Sequence, residues 1–317
     1  MSNTLRKKIL VIGNQGYVGS VLVGNLKKNI TNEIIGFDCG IYSKLITSTY
    51  NPDQFLDHQF NQDVRSFDPK ILKNVYAVIY LAAISNDPMG NKYETLTRDI
   101  NYLSCIKIAK QAKEFGVKKF IFASSCSVYG SGGESSKKEN DALDPLTAYA
   151  KSKIDSEEAL YKIADNSFKV ISLRFATACG MSPRLRLDLV LNDFIANAIL
   201  FKEIKILSDG SSWRPLISVN DMSKSIEWAI EVNDEKINTN FLCVNTGSNY
   251  WNFKVIDLAE EVSKIIGPIS IKVGSRKAVD KRSYKVDFTK FSKLAPEINI
   301  DTKLDNTINK LADGIKK

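Results

Sequence analysis

Histidine is nearly absent from this chain: His58 is the only one among 317 residues. A multi-histidine zinc site is thereby excluded, and a Ser-His-Asp relay would have to run through that single ring. Paired cysteines are also missing. Cys39, Cys105, Cys126, Cys179 and Cys243 are odd in number, widely spaced and without a C-x-x-C pair, so they read as free thiols of a reducing compartment. No apolar run approaches the roughly 18 residues of a membrane span. The stretch behind Met1-Ser-Asn-Thr-Leu-Arg-Lys-Lys8 is too short for a signal-peptide core, and the expected location is the cytoplasm. Long basic runs are absent as well. Lys+Arg 44 against Asp+Glu 36 gives a formal +8, but the basic residues fall in scattered pairs (Lys7-Lys8, Lys118-Lys119, Lys137-Lys138) without interleaved aromatics. That pattern makes a nucleic-acid surface the weaker reading, and an anionic small substrate is enough to explain the mild excess.

What is present is an alternation. Ile9-Leu-Val-Ile12 is an apolar strand ending at a glycine, and 18–26 has helical spacing. Strands are expected at 33–37, 75–83, 119–123 and 169–173, with a short one near Gln59-Phe60, and helices at 93–115 and 148–163. Residues 130–138, rich in Ser, Gly and Lys, read as a loop. Strands alternating with helices mean an α/β fold with a doubly wound, Rossmann-type parallel sheet. After Arg174 the rhythm loosens: a helix at 190–201, short strands at 204–207, 216–219 and 241–244, and helices at 253–266 and 304–313. The expected organisation is a nucleotide-binding domain over 1–174 with a return segment at about 212–245. A smaller substrate lobe takes 175–211 and 246–317.

Two motifs carry the chemistry. Gly13-Asn14-Gln15-Gly16-Tyr17-Val18-Gly19 follows a strand and opens a helix, the context in which glycines bring backbone close to a pyrophosphate. Asp38 closes the second strand, where its carboxylate can accept from adenosine ribose hydroxyls and repel a 2'-phosphate, so NAD is favoured over NADP. Asp63-Val64 either holds the adenine edge or is an ordinary Asx turn. Far downstream, Tyr149 and Lys153 stand four residues apart in a helical stretch. Positions i and i+4 share a face, so the ammonium can favour the phenolate and bring the tyrosine towards use as a general base. Phe120-Ile-Phe-Ala-Ser-Ser-Cys-Ser-Val-Tyr-Gly130 ends a strand in hydroxyl residues, at the end of a parallel strand where ligands sit.

These residues, with Leu81-Ala82-Ala83 and Asn101 (taken with the cofactor-binding set), resemble the extended short-chain dehydrogenase/reductases, and within them the nucleotide-sugar epimerases and dehydratases. The resemblance implies an NAD-dependent enzyme that oxidises and re-reduces a sugar carbon, C4 being expected. Tyr149 would be the proton acceptor, Lys153 would hold the nicotinamide ribose and lower the tyrosine pKa, and Ser125 would hydrogen-bond the same sugar oxygen. Arg214, in Ser208-Asp-Gly-Ser-Ser-Trp-Arg-Pro215, and Arg282 would bind the diphosphate, a task suited to the guanidinium fork. Arg184 and Arg186 either bind substrate or lie on a solvent-facing turn.

Two departures narrow the reading. The dehydratases carry an Asp-Glu pair where this chain has Cys126 and Ser127, which removes the acid needed to expel a hydroxyl. Thr177 stands where galactose-type epimerases have asparagine. A net 4-dehydrogenase and a non-catalytic NAD sensor are the alternatives. The resemblance further implies a homodimer through helices 93–115 and 148–163, with Ile100, Leu103, Ile106, Ile154 and Leu160 facing either the partner or the sheet.

Overall fold

The computed structural model describes residues 7–275, 282–300 and 303–316. Its centre is a seven-stranded sheet of β1 (Lys7–Ile12), β2 (Asn32–Asp38), β3 (His58–Asn61), β4 (Ala77–Tyr80), β5 (Lys119–Ser125), β6 (Lys169–Phe175) and β7 (Phe241–Thr246). The spatial order is β3-β2-β1-β4-β5-β6-β7, every neighbouring pair parallel. Alternate residues of β1 enter different cores. Ile9 and Val11 pack in one cluster and Leu10 and Ile12 in another, as a sheet covered on both faces requires. The strand order reverses direction between β1 and β4, and ligands of such sheets bind at the carboxyl ends of the strands around that point.

Several boundaries differ from expectation for physical reasons. β4 stops at Tyr80, because the next two amides, Leu81 and Ala82, both turn to the Ile12 carbonyl. The helix expected at 93–115 is Glu94–Arg98 and Cys105–Glu114, joined through a π-helical stretch, Asp99–Ser104. The expected loop at 130–138 contains a short strand, Ser136–Lys137, paired with Lys285–Val286. The strand expected at 216–219 is Trp213–Ser218, and it feeds a helix the sequence reading overlooked, Val219–Glu231. The signal was present as Ser218-x-x-Asp221, where the serine hydroxyl accepts from the Asp221 amide. That helix buries Met222, Ile226, Ala229 and Ile230 against the sheet.

A third core lies outside the sheet. The helices Val190–Phe201, Val255–Ile266 and Asp305–Lys316 bury Leu191, Ile195, Leu258, Val262, Ile308 and Leu311 together. Among the described residues no helix is long and apolar enough to cross a membrane. Of the residues named for a helical interface, Leu160 is fully buried in the sheet core and faces no partner. Leu103 is exposed, while Ile100, Ile106 and Ile154 are half-buried against the cores.

Candidate active site

The glycine turn is shaped by steric necessity. Gly13 has φ +91°, and a Cβ there would lie 2.6 Å from the Ala82 nitrogen. A Cβ on Gly19 would meet the Gly13 carbonyl oxygen at 2.4 Å and Asn14 Cα at 2.6 Å, so the first helical turn packs directly on the turn that precedes it. The helix Tyr17–Leu26 begins at Gly16 with no side-chain cap and no acidic residue in its first turn. Its leading amides and the positive end of its dipole are therefore left to an anion such as a dinucleotide pyrophosphate, and the residues fit that group. Asp38 accepts from the Gln15 amide at 3.1 Å and the Gly40 amide at 3.0 Å, which fixes its carboxylate against the turn. Tyr17 is buried, its hydroxyl donating to the Gly180 carbonyl, and Val18 packs against the sheet core. Asn14 is buried and donates to Gln59 Oε1 at 2.7 Å.

Other residues of the cofactor set are placed as supports. Asp63 caps the turn Val64–Ser66, whose Val64 is buried, and is chelated by Arg65, whose hydrogen bonds hold the carboxyl below its ordinary pKa. Leu81-Ala82-Ala83 line the switch point beside Gly13. Asn101 is fully buried within the π-helical stretch. Its amide accepts from the Ile84 N–H and donates to the Ile84 carbonyl and Ser152 Oγ, so it ties the segment after β4 to the tyrosine helix.

The helix Ala148–Ile163 starts at Thr147, whose hydroxyl accepts from the Ala150 amide. It carries Tyr149 and Lys153 on one face, as the spacing predicts. The Lys153 ammonium donates to the Ala123 carbonyl at 2.6 Å and sits 5.3 Å from the Tyr149 ring centre and 4.7 Å from that of Phe122. Burial pulls its pKa down to about 8, against opposition from Cys105 and Glu157. Glu157, one turn further along the same face, was not singled out from the sequence. It is buried, accepts from Ser124 Oγ and Ser172 Oγ, and takes a bidentate pair from Arg174, which locks the helix to the ends of β5 and β6. Ser125, closing β5, accepts from the Ser127 amide at 3.1 Å. The Ser127 hydroxyl is buried without a hydrogen-bond partner beside it; the sequence reading weighed this residue only as the place of a missing acid.

On the sugar side, Thr177 lies half-buried in a short strand paired with Trp213–Ser218. Arg214 donates to the Trp213 and Arg282 carbonyls, tying the strand to the late segment; part of that segment, Asp280 and Lys281, lies outside the described residues. Arg186 pairs with Asp188 through Nε and Nη2 and donates to Ser85 Oγ at 2.9 Å. Burial opposes its charge, but Asp188, with smaller contributions from Tyr149 and Tyr42, outweighs this and raises its pKa. Arg184 does not lie on a solvent-facing turn. It is 3% exposed and pairs with Asp53 at 3.1 Å beside Gln15, because the segment folds back onto the cofactor turn. Among the described residues no cluster of metal ligands forms.

A dinucleotide turn, a Tyr-x-x-x-Lys helix and a hydroxyl-bearing strand end meeting at one sheet edge define an extended short-chain dehydrogenase/reductase. Residues 9–243 match the NAD dependent epimerase/dehydratase family. The chain is 29% identical over 233 residues to an uncharacterized UDP-glucose epimerase, YtcB, of Bacillus subtilis, covering 69% of this chain and 71% of the relative. It is 24% identical over 303 residues to a UDP-glucose 4-epimerase of Lactobacillus helveticus, covering 89% of each. The NAD complex of UDP-glucuronic acid 4-epimerase from Bacillus cereus, 25% identical, aligns with 98% of each chain at a TM-score of 0.80. The chain belongs to the NAD dependent epimerase/dehydratase family and is an NAD-dependent enzyme acting on nucleotide sugars.

Proposed function

We propose that this enzyme interconverts C4 epimers of a UDP-sugar through a transient 4-keto sugar. The observation that carries the reading is the buried Lys153 ammonium beside Tyr149 at the end of β5, where Ser125 also sits. Tyr149 takes the proton of the sugar 4-hydroxyl and returns it at the end, Ser125 hydrogen-bonds that oxygen, and Lys153 stabilises the phenolate and holds the nicotinamide ribose. The Gly13–Gly19 turn and Asp38 would hold NAD, which would supply the hydride acceptor and donor for C4. Asp63, Val64, Leu81, Ala82, Ala83 and Asn101 shape the same site. Arg214 and Arg282 hold the diphosphate while the keto ring turns, and Thr177 and Arg186 border the sugar. Dehydration is unsupported: Cys126 is buried and its thiol pKa pushed well up by that burial, so neither it nor Ser127 supplies an acid.

The uridine base rests on the relatives, whose names specify UDP-sugars. Also inferred are a two-lobed organisation with the sugar nucleotide between the lobes, a homodimer, a cytoplasmic location and a role in supplying sugars for polysaccharide synthesis. A UDP-sugar deuterated at C4 tests the chemistry by mass spectrometry. Label retained in an inverted product is expected. Stoichiometric NADH with label lost to the cofactor would move the assignment to a net 4-dehydrogenase.

A further inference from the structure

Residues 180–188 run from the cofactor turn to the catalytic tyrosine and are fixed at both ends. At the cofactor end, Ser182 Oγ donates to the Tyr17 carbonyl, and Thr47 binds the Ser182 and Pro183 carbonyls and accepts from the Leu185 amide. At the other end, Arg186 reaches Ser85, and Asp188 accepts from Asn86. Asn86 caps the short helix Asp87–Lys92, in which a Cβ on Gly90 would lie 3.9 Å from Tyr149 Cβ and Asn91 accepts from the Ala148 amide. The first turn of the tyrosine helix is thus held, through two short connections, by the segment that carries Arg186.

Arg184 joins this segment to the cofactor turn by side chains. Asp53 Oδ2 accepts from Arg184 Nη2 at 3.1 Å and from Gln15 Nε2 at 2.8 Å, while the Gln15 amide holds Asp38. The junction is under-satisfied. Arg184 Nε and Nη1, Asp53 Oδ1 and Gln15 Oε1 are all buried without hydrogen-bond partners. Buried polar groups left in that condition are costly, so a small shift of Gln15 changes which of them are satisfied. A purely structural strut has no need of four open valences next to a ligand-binding turn.

We propose that Arg184 is a positioning residue which, through Asp53 and Gln15, couples occupancy of the cofactor turn to the placement of Arg186 beside Tyr149. The role of Tyr149 is taken from the function proposed above, whereas the coupling itself involves only the NAD site. NAD settling against Gln15 and Asp38 would complete the junction and hold residues 182–188 more tightly on the tyrosine side. By linkage, whatever orders residues 182–188 strengthens NAD binding by the same factor.

Hydrogen exchange followed by mass spectrometry on the full chain, with and without NAD and with no sugar nucleotide present, tests this. In the native protein NAD should slow exchange in peptides covering both the glycine turn and residues 182–188, the latter by at least about fivefold, the low end of typical coupling factors. In Arg184→Gln, the glycine turn should still be protected while protection of residues 182–188 falls to less than half. Asp53→Asn keeps the side-chain shape, and it should show the same separation if Arg184→Gln fails to fold. Absence of NAD protection at 182–188 in the native protein overturns the proposal. So does equal protection in native protein and Asp53→Asn. Because no sugar is present, a wrong substrate assignment leaves these outcomes unchanged; its failure would show only in the deuterium experiment.

Discussion

The turn after β1 and the turn after the Thr177–Cys179 strand each open on a glycine with positive φ, Gly13 at +91° and Gly180 at +101°, and each leads into a helix. Beyond that they diverge. The first reaches its helix within a few residues and presents backbone: uncapped amides, glycines packed on carbonyls, and one fixed carboxylate. The second takes 180–188 to arrive and presents side chains, with Arg184 turned back to Asp53 beside the glycine turn and Arg186 turned on to Ser85 and Asp188. Recognition by backbone depends on steric rules that hold for any chain, which is why such a turn leaves a motif. Recognition by side chains depends on what those side chains touch, and spacing alone does not say.

The sharpest test of the side-chain half is Tyr149→Phe. Removing the hydroxyl while keeping the ring should leave NAD binding intact and lower turnover by at least about a hundredfold, the low end of general acid–base contributions. Turnover close to native would mean that the proton goes elsewhere and that the shared face with Lys153 is a packing accident. For the backbone half, Gly19→Ala places a methyl 2.4 Å from a carbonyl oxygen, whereas at Gly16 the nearest atom would be 3.4 Å away and φ is −86°. NAD titration should show more than about tenfold weaker binding for Gly19→Ala and a change within about threefold for Gly16→Ala. Equal effects would place the glycine requirement in chain flexibility and not in contact.

The smallest expected effect is one of stability. Lys153 has a folded-state pKa of about 8 and an ordinary value of 10.5. The folded protein therefore loses this proton before the unfolded chain does, and stability contributed by this site rises with pH between about 8 and 10.5. At pH 7 the buried charge is a cost. Lys153→Met should be more stable than the native protein there, by about 1–2 kcal/mol, and the advantage should shrink towards pH 10. Denaturant melts at the two pH values decide it; a pH-independent difference would mean that the methionine merely packs better.

The fold was legible wherever period and punctuation agreed. Ala148–Ile163 is found where expected because Thr147 caps it, and β1, β5 and β6 are buried runs bounded by turn residues. Val219–Glu231 was lost because its start is fused to the strand before it, so one apolar stretch serves two elements. In the site, Gly13, Asp38, Tyr149 and Lys153 were readable from order and spacing. Glu157 was not. A glutamate inside an amphipathic helix looks like a solvated residue until the ends of β5 and β6 bring Ser124, Ser172 and Arg174 to it. The burial of Arg184 was illegible for the same reason, since its partner Asp53 lies far away in the chain and belongs to no motif.

The position of β7 at the sheet's outer edge has a consequence for how this chain is made. Its neighbour β6 can pair with β5 once both are synthesised, but the other side of β6 has no partner strand until residues 241–246 follow. At a synthesis rate of about 5–20 residues per second, that edge stays open for on the order of ten seconds on the ribosome. From Val170 to Phe175 the strand is buried in the finished protein, so for that interval it is an apolar template for any other strand. Lys169 and Arg174 are the only charges on it. Arg174 ends in a pair with Glu157, a residue already synthesised when β6 emerges, so the ion pair can form before the strand has its last neighbour.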